Sequence, residues 1–408
     1  MNKRPRIAAL VSIYHKHAHA QHIVDRFLEG YGWNGRHHRP EMDLVSLYVD
    51  QVNVEPPEPE EGKRYDVSRE RAARFDQLAC YPTIADALMC GTDTLAVDGV
   101  LLIAEHGDYA SNEKGQTLWP RYEFFKQMVA VFRACGRSLP VFNDKHLSWN
   151  WDWAKEMYDT SVELNFPFMA GSSLPVTWRT PDIEMPLGAE VREAMCVGCG
   201  WVDGGDFHGY ETIQAMVERR KGGESGVKWI EAFRGDKFWS ALHEGRWSRA
   251  LFDACLCRSH QLTSARPGFN HVFPTIDEMK TLVADPWAYQ YEHTDGLLCT
   301  MIAFNGLFGG SWAFAADVGD RDEPLSTYMH LPMPSSPSTL ANFFSPLVNN
   351  AEQMFLTGKA TYPIERTLLT TGLTSAGVES LHQDQQRIET PHLDISYQPN
   401  PESTYWRS

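Results

Sequence analysis

Histidine, lysine and carboxylate side chains recur along this chain in short groups able to move protons or hold an ion. They are Ser12-Ile13-Tyr14-His15-Lys16-His17-Ala18-His19, Asp50-Gln51, Glu105-His106-Gly107-Asp108-Tyr109 and Asp144-Lys145-His146. Each follows an apolar run of strand character, and open parallel sheets bind ligands beyond the carboxyl ends of their strands. Lys145 stands between Asp144 and His146 and ahead of Trp149, Trp151 and Trp153. Desolvated there, it becomes a general acid or base; a structural ion pair is the plainer alternative. Glu105, His106, Asp144 and His19 have the donor types of a divalent-metal site if the strand ends converge. Further on, Gly204-Gly205-Asp206-Phe207-His208-Gly209-Tyr210-Glu211 opens a helix with His208 and Glu211 three apart on one face. His208, with Asp206 beside it, is the expected catalytic partner of Lys145. Trp178, Arg179, His146, Glu211 and Tyr109 are the expected substrate contacts, Arg179 for a carboxylate and Trp178 for a sugar face.

These groups need elements to position them. Ile7–Ile13, Leu44–Val49, Val97–Ala104, Leu139–Asn143 and Phe166–Met169 read as buried strands. Between them lie helical patterns over Ala18–Tyr31, from Ser68, over Thr83–Met89, Arg121–Cys135 and Trp151–Leu164. Strands alternating with helices of this length imply βαβ crossovers and a Rossmann-like, doubly wound parallel sheet. After Gly171 the texture changes to loops, a helix over Tyr210–Arg220 and shorter strands such as Val191–Cys199, Val227–Phe233, Tyr289–His293 and Leu297–Phe304. That pattern predicts an α+β domain with a mostly antiparallel open sheet. The expected division is 1–165 and 166–408. Val54–Gly62, proline-rich and acidic, reads as a solvated loop.

Composition narrows the function classes. With 408 residues, 43% hydrophobic and 22% charged, the chain is of globular type and holds no apolar run long enough to span a membrane. A formal net charge of −16 repels phosphate backbones, which argues against nucleic acid as partner. The eight cysteines are scattered, as in a reduced, cytoplasmic protein, and Cys196-Val-Gly-Cys199 lacks a convergent second pair for zinc. Ser172-Ser173 has no nucleophile-elbow context.

A family resemblance runs through most of the chain. Ala72-Ala73-Arg74-Phe75 and Tyr81-Pro82-Thr83-Ile84-Ala85-Asp86-Ala87-Leu88 resemble a helix and the following Tyr-x-x-hydrophobic-x-acid-x-Leu segment of the Gfo/Idh/MocA oxidoreductases. Gly136 to His146 resembles that family's Gly-Lys-x-Val…Glu-Lys-Pro signature. The Gly204–His208 stretch is similar to its Gly-Gly…Asp…His segment, and Tyr362-Pro363…Ile388-Glu389-Thr390-Pro391 resembles its ending. The resemblance implies two domains, NAD(P) and a sugar or polyol substrate. It puts Lys145 on the substrate-side lysine, His208 on the catalytic histidine and Asp50 on the ribose contact, and it implies a homo-oligomer. The chain departs from the family in three respects. No glycine lies between Met1 and Gly30, where the dinucleotide fingerprint belongs; His146 replaces the proline; and the aspartate spacing before His208 differs.

The leading expectation is therefore a cytoplasmic enzyme on a small polyhydroxylated or carbonyl substrate. It would use Lys145 and His208 for acid–base chemistry, with a divalent metal assisting a non-redox lyase, isomerase or hydrolase reaction. One alternative is an NAD(P)-dependent sugar or polyol oxidoreductase with an atypical phosphate loop. Another is a non-catalytic ligand-binding or scaffold protein.

Overall fold

The apolar runs of the first third pair side by side as one parallel sheet. Its strands are β1 (Arg6–Ile13), β2 (Asp43–Gln51), β3 (Ala79–Tyr81), β4 (Gly99–Ile103), β5 (Val141–Asp144) and β6 (Phe168–Gly171). Their order is β3-β2-β1-β4-β5-β6, with every neighbouring pair parallel. All of β4 and β5 is buried, as expected for strands covered on both faces, which is why they read as unbroken apolar runs. The strand order reverses between β1 and β4, the place where open sheets of this kind bind ligands. The computed structural model describes residues 4–406 apart from 57, 59, 259–273, 310–311, 320 and 332–340.

Helices α1 (His19–Glu29), α2 (Ser68–Arg74), α3 (Arg121–Cys135) and α4 (Trp151–Glu163), with the short helix Ile84–Met89 between β3 and β4, supply the crossovers. Gly30, at φ 86°, ends α1 at Glu29, two residues before the expected limit, and leads into a short hairpin, Tyr31–Trp33 with Arg36–His38, that the periodicity does not announce. The inner face of α1 is unusually polar, burying Gln21, His22, Asp25 and Arg26. Each of these side chains has a partner. Arg26 reaches Ser345 Oγ at 3.1 Å and the carbonyl of Ala341, while His22 stacks on Phe344 at 4.9 Å. The helix Phe344–Thr357 thus packs on α1, far from it in sequence. The first compact unit comprises Met1–Ser111, Thr117–Ser173 and Pro332–Ile364, so it extends beyond the expected boundary at 165 and takes back a later segment.

The second unit comprises Asn112–Gln116, Leu174–Leu331 and Glu365–Ser408. Its sheet contains β7 (Val191–Gly198), β8 (Val227–Arg234), β9 (Trp287–His293), β10 (Leu298–Ala303), β11 (Trp312–Val318) and β12 (Leu325–Met329). They run β8-β9-β10-β7-β11-β12, with the two-residue strands Ile388–Glu389 and Arg179–Thr180 at the edges. Only β7 and β10 are parallel, so the sheet is mostly antiparallel, as the sequence predicts. Met195, Val197, Phe238, Phe252, Ile302 and Phe304 belong to the core beneath it. Helix α5 (Gly204–Val217) starts well before Tyr210. Glycines are poor helix residues, but Asp206 accepts the Asp203 amide at 3.0 Å and fixes the first turn. Among the described residues no helix is long and apolar enough to cross a membrane.

One buried ion pair braces the turn after β1. Arg71 of α2 donates to Asp25 of α1 at 2.9 and 2.8 Å, and the Tyr14 hydroxyl donates to the same carboxylate at 2.5 Å. Asp25→Ala leaves the Arg71 guanidinium with only the exposed Glu70 carboxylate and removes the partner of Tyr14, and is expected to cost about 3 kcal/mol. The urea midpoint should fall accordingly, and an unchanged midpoint would contradict the brace.

Candidate active site

The predicted groups after β4 and β5 meet the start of α1 at the carboxyl end of the first sheet. Asn143, the penultimate residue of β5, shapes the turn that follows. Its side-chain amide donates to the carbonyls of Asp144, Lys145 and His146 at 3.2–3.3 Å. Lys145 adopts φ 71°, a left-handed backbone that a non-glycine residue keeps only when its surroundings impose it. Its amide donates to the Gly171 carbonyl at 3.0 Å, tying the turn to β6. The Lys145 amine is buried, with Nζ 4.0 Å from Glu105 Oε1. Arg121, the first residue of α3, pairs with Glu105 Oε2 and reaches His146 Nε2 at 3.3 Å. His19 Nδ1 lies 2.6 Å from Asp144 Oδ2, and the His19 amide faces His106 Nδ1 at 3.4 Å.

The charges in this group settle one another. Burial raises the Glu105 carboxyl, but the Arg121 guanidinium and Lys145 outweigh it and hold the group below its ordinary range. Burial lifts Asp144 to about 6, against the pull of Lys145 and Arg121. Burial, then Lys145, lowers His19 to about 3; burial, then His19, lowers His106 to about 3. His146 is driven well below its usual value by burial and by Arg121. These imidazoles are therefore neutral at pH 7.

Glu105, His106, Asp144 and His19 do come together, as the metal expectation required. Among the described residues, however, no group of three or more His, Cys, Asp or Glu side chains is arranged to hold a metal ion. Glu105 is answered by Arg121 and Lys145, two cations, so the metal-assisted reading gains no support here. Sequence reasoning missed Arg121 and Asn143. A cation in the first turn of a helix opposes the helix dipole, and that anomaly was the available signal for Arg121.

The remaining predicted residues have varied surroundings. Tyr109 donates to Asp50 Oδ2 at 2.7 Å and Tyr48 to Oδ1 at 2.8 Å, which groups Tyr109 with Asp50 at the end of β2. In the second unit, Asp206 is fully enclosed, accepting from Trp287 Nε1 and the Tyr289 hydroxyl at 2.7 Å each, and burial lifts it to about 7. It caps α5. His208 is half-buried one turn on, 6.2 Å from the Trp312 ring, and Glu211 is buried. Arg179 is buried too, held by Glu184 at 2.7 Å and lying 4.0 Å over the Tyr405 ring. Trp178 packs against His330 and Trp406 at 4.7 and 4.8 Å.

Folds of this kind seat a dinucleotide at the turn between β1 and α1. Here that turn has bulky residues, and the Val67 amide donates to the Tyr14 carbonyl at 2.8 Å. The polar groups around it still suit a phosphate. His17 takes φ 68°, its Nδ1 is buried without a hydrogen-bond partner, and burial together with Arg64, Lys16 and His15 lowers its pKa. Lys16 and Arg64 are exposed. With the exposed Asp50 carboxylate at the end of β2, the residues present fit a dinucleotide whose phosphates are held by side chains rather than by a glycine cradle.

No family model matches this chain, and no curated protein does. Solved structures do. GenD2 from gentamicin A biosynthesis in complex with NAD is similar at TM-score 0.55 and 13% identity, covering 95% of this chain and 97% of its own. Scyllo-inositol dehydrogenase from Lactobacillus casei, with bound NAD(H) and scyllo-inositol, is similar at TM-score 0.54 and 10% identity over 95% of this chain and 99% of its own. A Gfo/Idh/MocA family oxidoreductase from Vibrio cholerae is similar at TM-score 0.51 and 14% identity over 93% and 99%. The chain has the two-domain fold of the Gfo/Idh/MocA oxidoreductases, in a divergent form, as the resemblance implied.

Neutral, buried histidines make stability depend on pH. His22, stacked under Phe344, is lowered to about 2 by burial and then by His19. Below about pH 6.5 the unfolded chain takes up a proton there that the folded chain refuses, so stability falls with acidification. Asp144, raised to about 6, works in the opposite direction as pH drops from about 6 towards its unfolded value. Replacing His22 with Gln should make the stability–pH slope between pH 6 and 4 shallower by up to about 1.4 kcal/mol per pH unit, measured by urea unfolding. An unaltered slope would mean that His22 is protonated in the folded protein.

Proposed function

We propose that this protein is an oxidoreductase acting on a sugar or polyol with a nicotinamide dinucleotide. The observation that carries this reading is Lys145: left-handed backbone at the end of β5, a turn tied down by Asn143, and an amine facing Glu105. Backbone strain of this sort gathers at working sites, where position matters more than comfort. The shared fold with NAD-bound dehydrogenases supports the redox alternative over the metal-assisted one.

In this reading Lys145 takes the proton from a substrate hydroxyl as that carbon becomes a carbonyl, and returns it in the reverse direction. Glu105 and Arg121 fix where the amine sits. His208 is the second group assigned to proton transfer. Lys16, Arg64 and His17 would hold the dinucleotide phosphates and Asp50 the ribose hydroxyls. When bound, the dinucleotide supplies the hydride acceptor.

Titration with NAD(H) and NADP(H), followed by nicotinamide fluorescence or calorimetry, tests the cofactor. Turnover of myo- and scyllo-inositol tests the substrate class. Lys145→Met should keep the nucleotide Kd within about threefold while lowering kcat by about 10²–10⁴, because Glu105 retains Arg121. If no nucleotide binds at millimolar concentration, the redox reading is wrong and the non-redox one returns. Undiminished turnover in Lys145→Met would remove Lys145 from the chemistry.

A further inference from the structure

We infer that Trp201 is a stacking platform for the ring of the substrate, and thereby sets a preference for cyclic over open-chain polyols. This rests on the polyol reading above, whose choice of substrate class it sharpens.

Among the described residues, Trp201 is the single aromatic among the exposed large hydrophobic side chains, at 58% exposure. Indole joins a broad apolar face to an N–H donor, and this one stands at the start of the helix that bears His208. Its setting is built rather than loose. A Cβ on Gly204 would come within 3.1 Å of the indole Nε1, and one on Gly205 within 3.5 Å of Cδ2. A Cβ on Gly200 would lie 3.0 Å from the Gly205 Cα, so the strand-to-helix turn folds tightly beneath the ring. The glycines that open α5 thus clear a bed on which one side of the indole rests, while much of the ring remains open to solvent.

The same helix carries His208 one turn beyond the ring. Gly204 and His208 are four apart in α5, and positions four apart share a face about 5–6 Å from each other. Because the indole lies where a Gly204 side chain would be, indole and imidazole rise from one helix face a turn apart. A cyclic polyol has matching chemistry: a face of C–H bonds to pack on the indole, and hydroxyls at its rim within reach of a histidine. An open-chain polyol has no such face.

The test compares wild type, Trp201→Ala and Trp201→Phe for binding of myo-inositol and of glycerol, by saturation-transfer NMR and calorimetry, with NADH, with NADPH and with neither. Trp201→Ala is expected to weaken myo-inositol binding about tenfold or more, and Trp201→Phe to restore it to within about threefold. Glycerol binding should be the same in all three, and light scattering should give all three the same mass. Inositol binding unchanged in Trp201→Ala overturns the inference and leaves the oxidoreductase reading untouched. A lower mass for Trp201→Ala overturns it in favour of a subunit contact. If wild type binds no inositol under any of the three conditions, the polyol reading falls and this inference falls with it.

Discussion

The buried pair between Glu105 and Arg121 is the constraint on which the first unit's site depends. A guanidinium at the first turn of α3 sits at the positive end of the helix dipole, fully out of water, so it is stable there only because Glu105 and His146 accept from it. The Glu105 charge that Arg121 secures also faces the Lys145 amine. The fields of Arg121 and Lys145 then help keep the surrounding imidazoles neutral and draw the raised Asp144 carboxyl part of the way back. Without Arg121, Glu105 would be a buried carboxyl with burial pushing it towards its protonated form, and the Lys145 amine would lose the charge it faces.

The turn after β1 shows how a shared fold can accommodate different chemistry at one place. A glycine there lets the backbone approach a phosphate closely; this chain has side chains instead and braces them. The Ser12 hydroxyl spans the carbonyls of Glu105 and His106 at 3.1 and 2.8 Å, locking the end of β1 to the end of β4. Tyr14 turns away to Asp25, leaving His15, Lys16 and His17 on the turn itself. Cationic side chains bind phosphate through charge, and such binding is more sensitive to salt than binding by backbone amides in a rigid loop.

Much of this architecture was legible in the sequence, for a physical reason. Strands buried on both faces must be continuously apolar, so β1, β2, β4 and β5 were found within a residue or two, and their carboxyl ends identified Asp50, Glu105 and Lys145 together. What could not be read depends on contacts distant along the chain. The return of Phe344–Thr357 to α1 turns on Arg26 meeting Ser345 and Ala341, a pairing that no local pattern encodes. Asn143 reads as an ordinary strand-end residue until its amide is seen holding three carbonyls. Residue type marks Arg179 and Tyr109 as ligand contacts but does not disclose that Glu184 and Asp50 engage them in the folded chain.

The start of α5 joins these themes. Local propensity argues against a helix beginning at two glycines, since they gain most from remaining unfolded. The structure overrides that preference with Asp206, whose carboxylate accepts from the Asp203 amide, the Trp287 indole and the Tyr289 hydroxyl. Asp203 is held at φ 78° in the process. Both indole and phenol come from β9, so the helix start is fastened to the sheet and not merely capped. Flexible residues fixed in this way make a rigid surface without side chains of its own. Such a surface lets the Trp201 ring lie against the backbone while His208 projects one turn away. The glycines therefore serve close approach in this unit, as glycines at a dinucleotide turn would have done in the other, with the difference that here the approaching group is the protein's own indole.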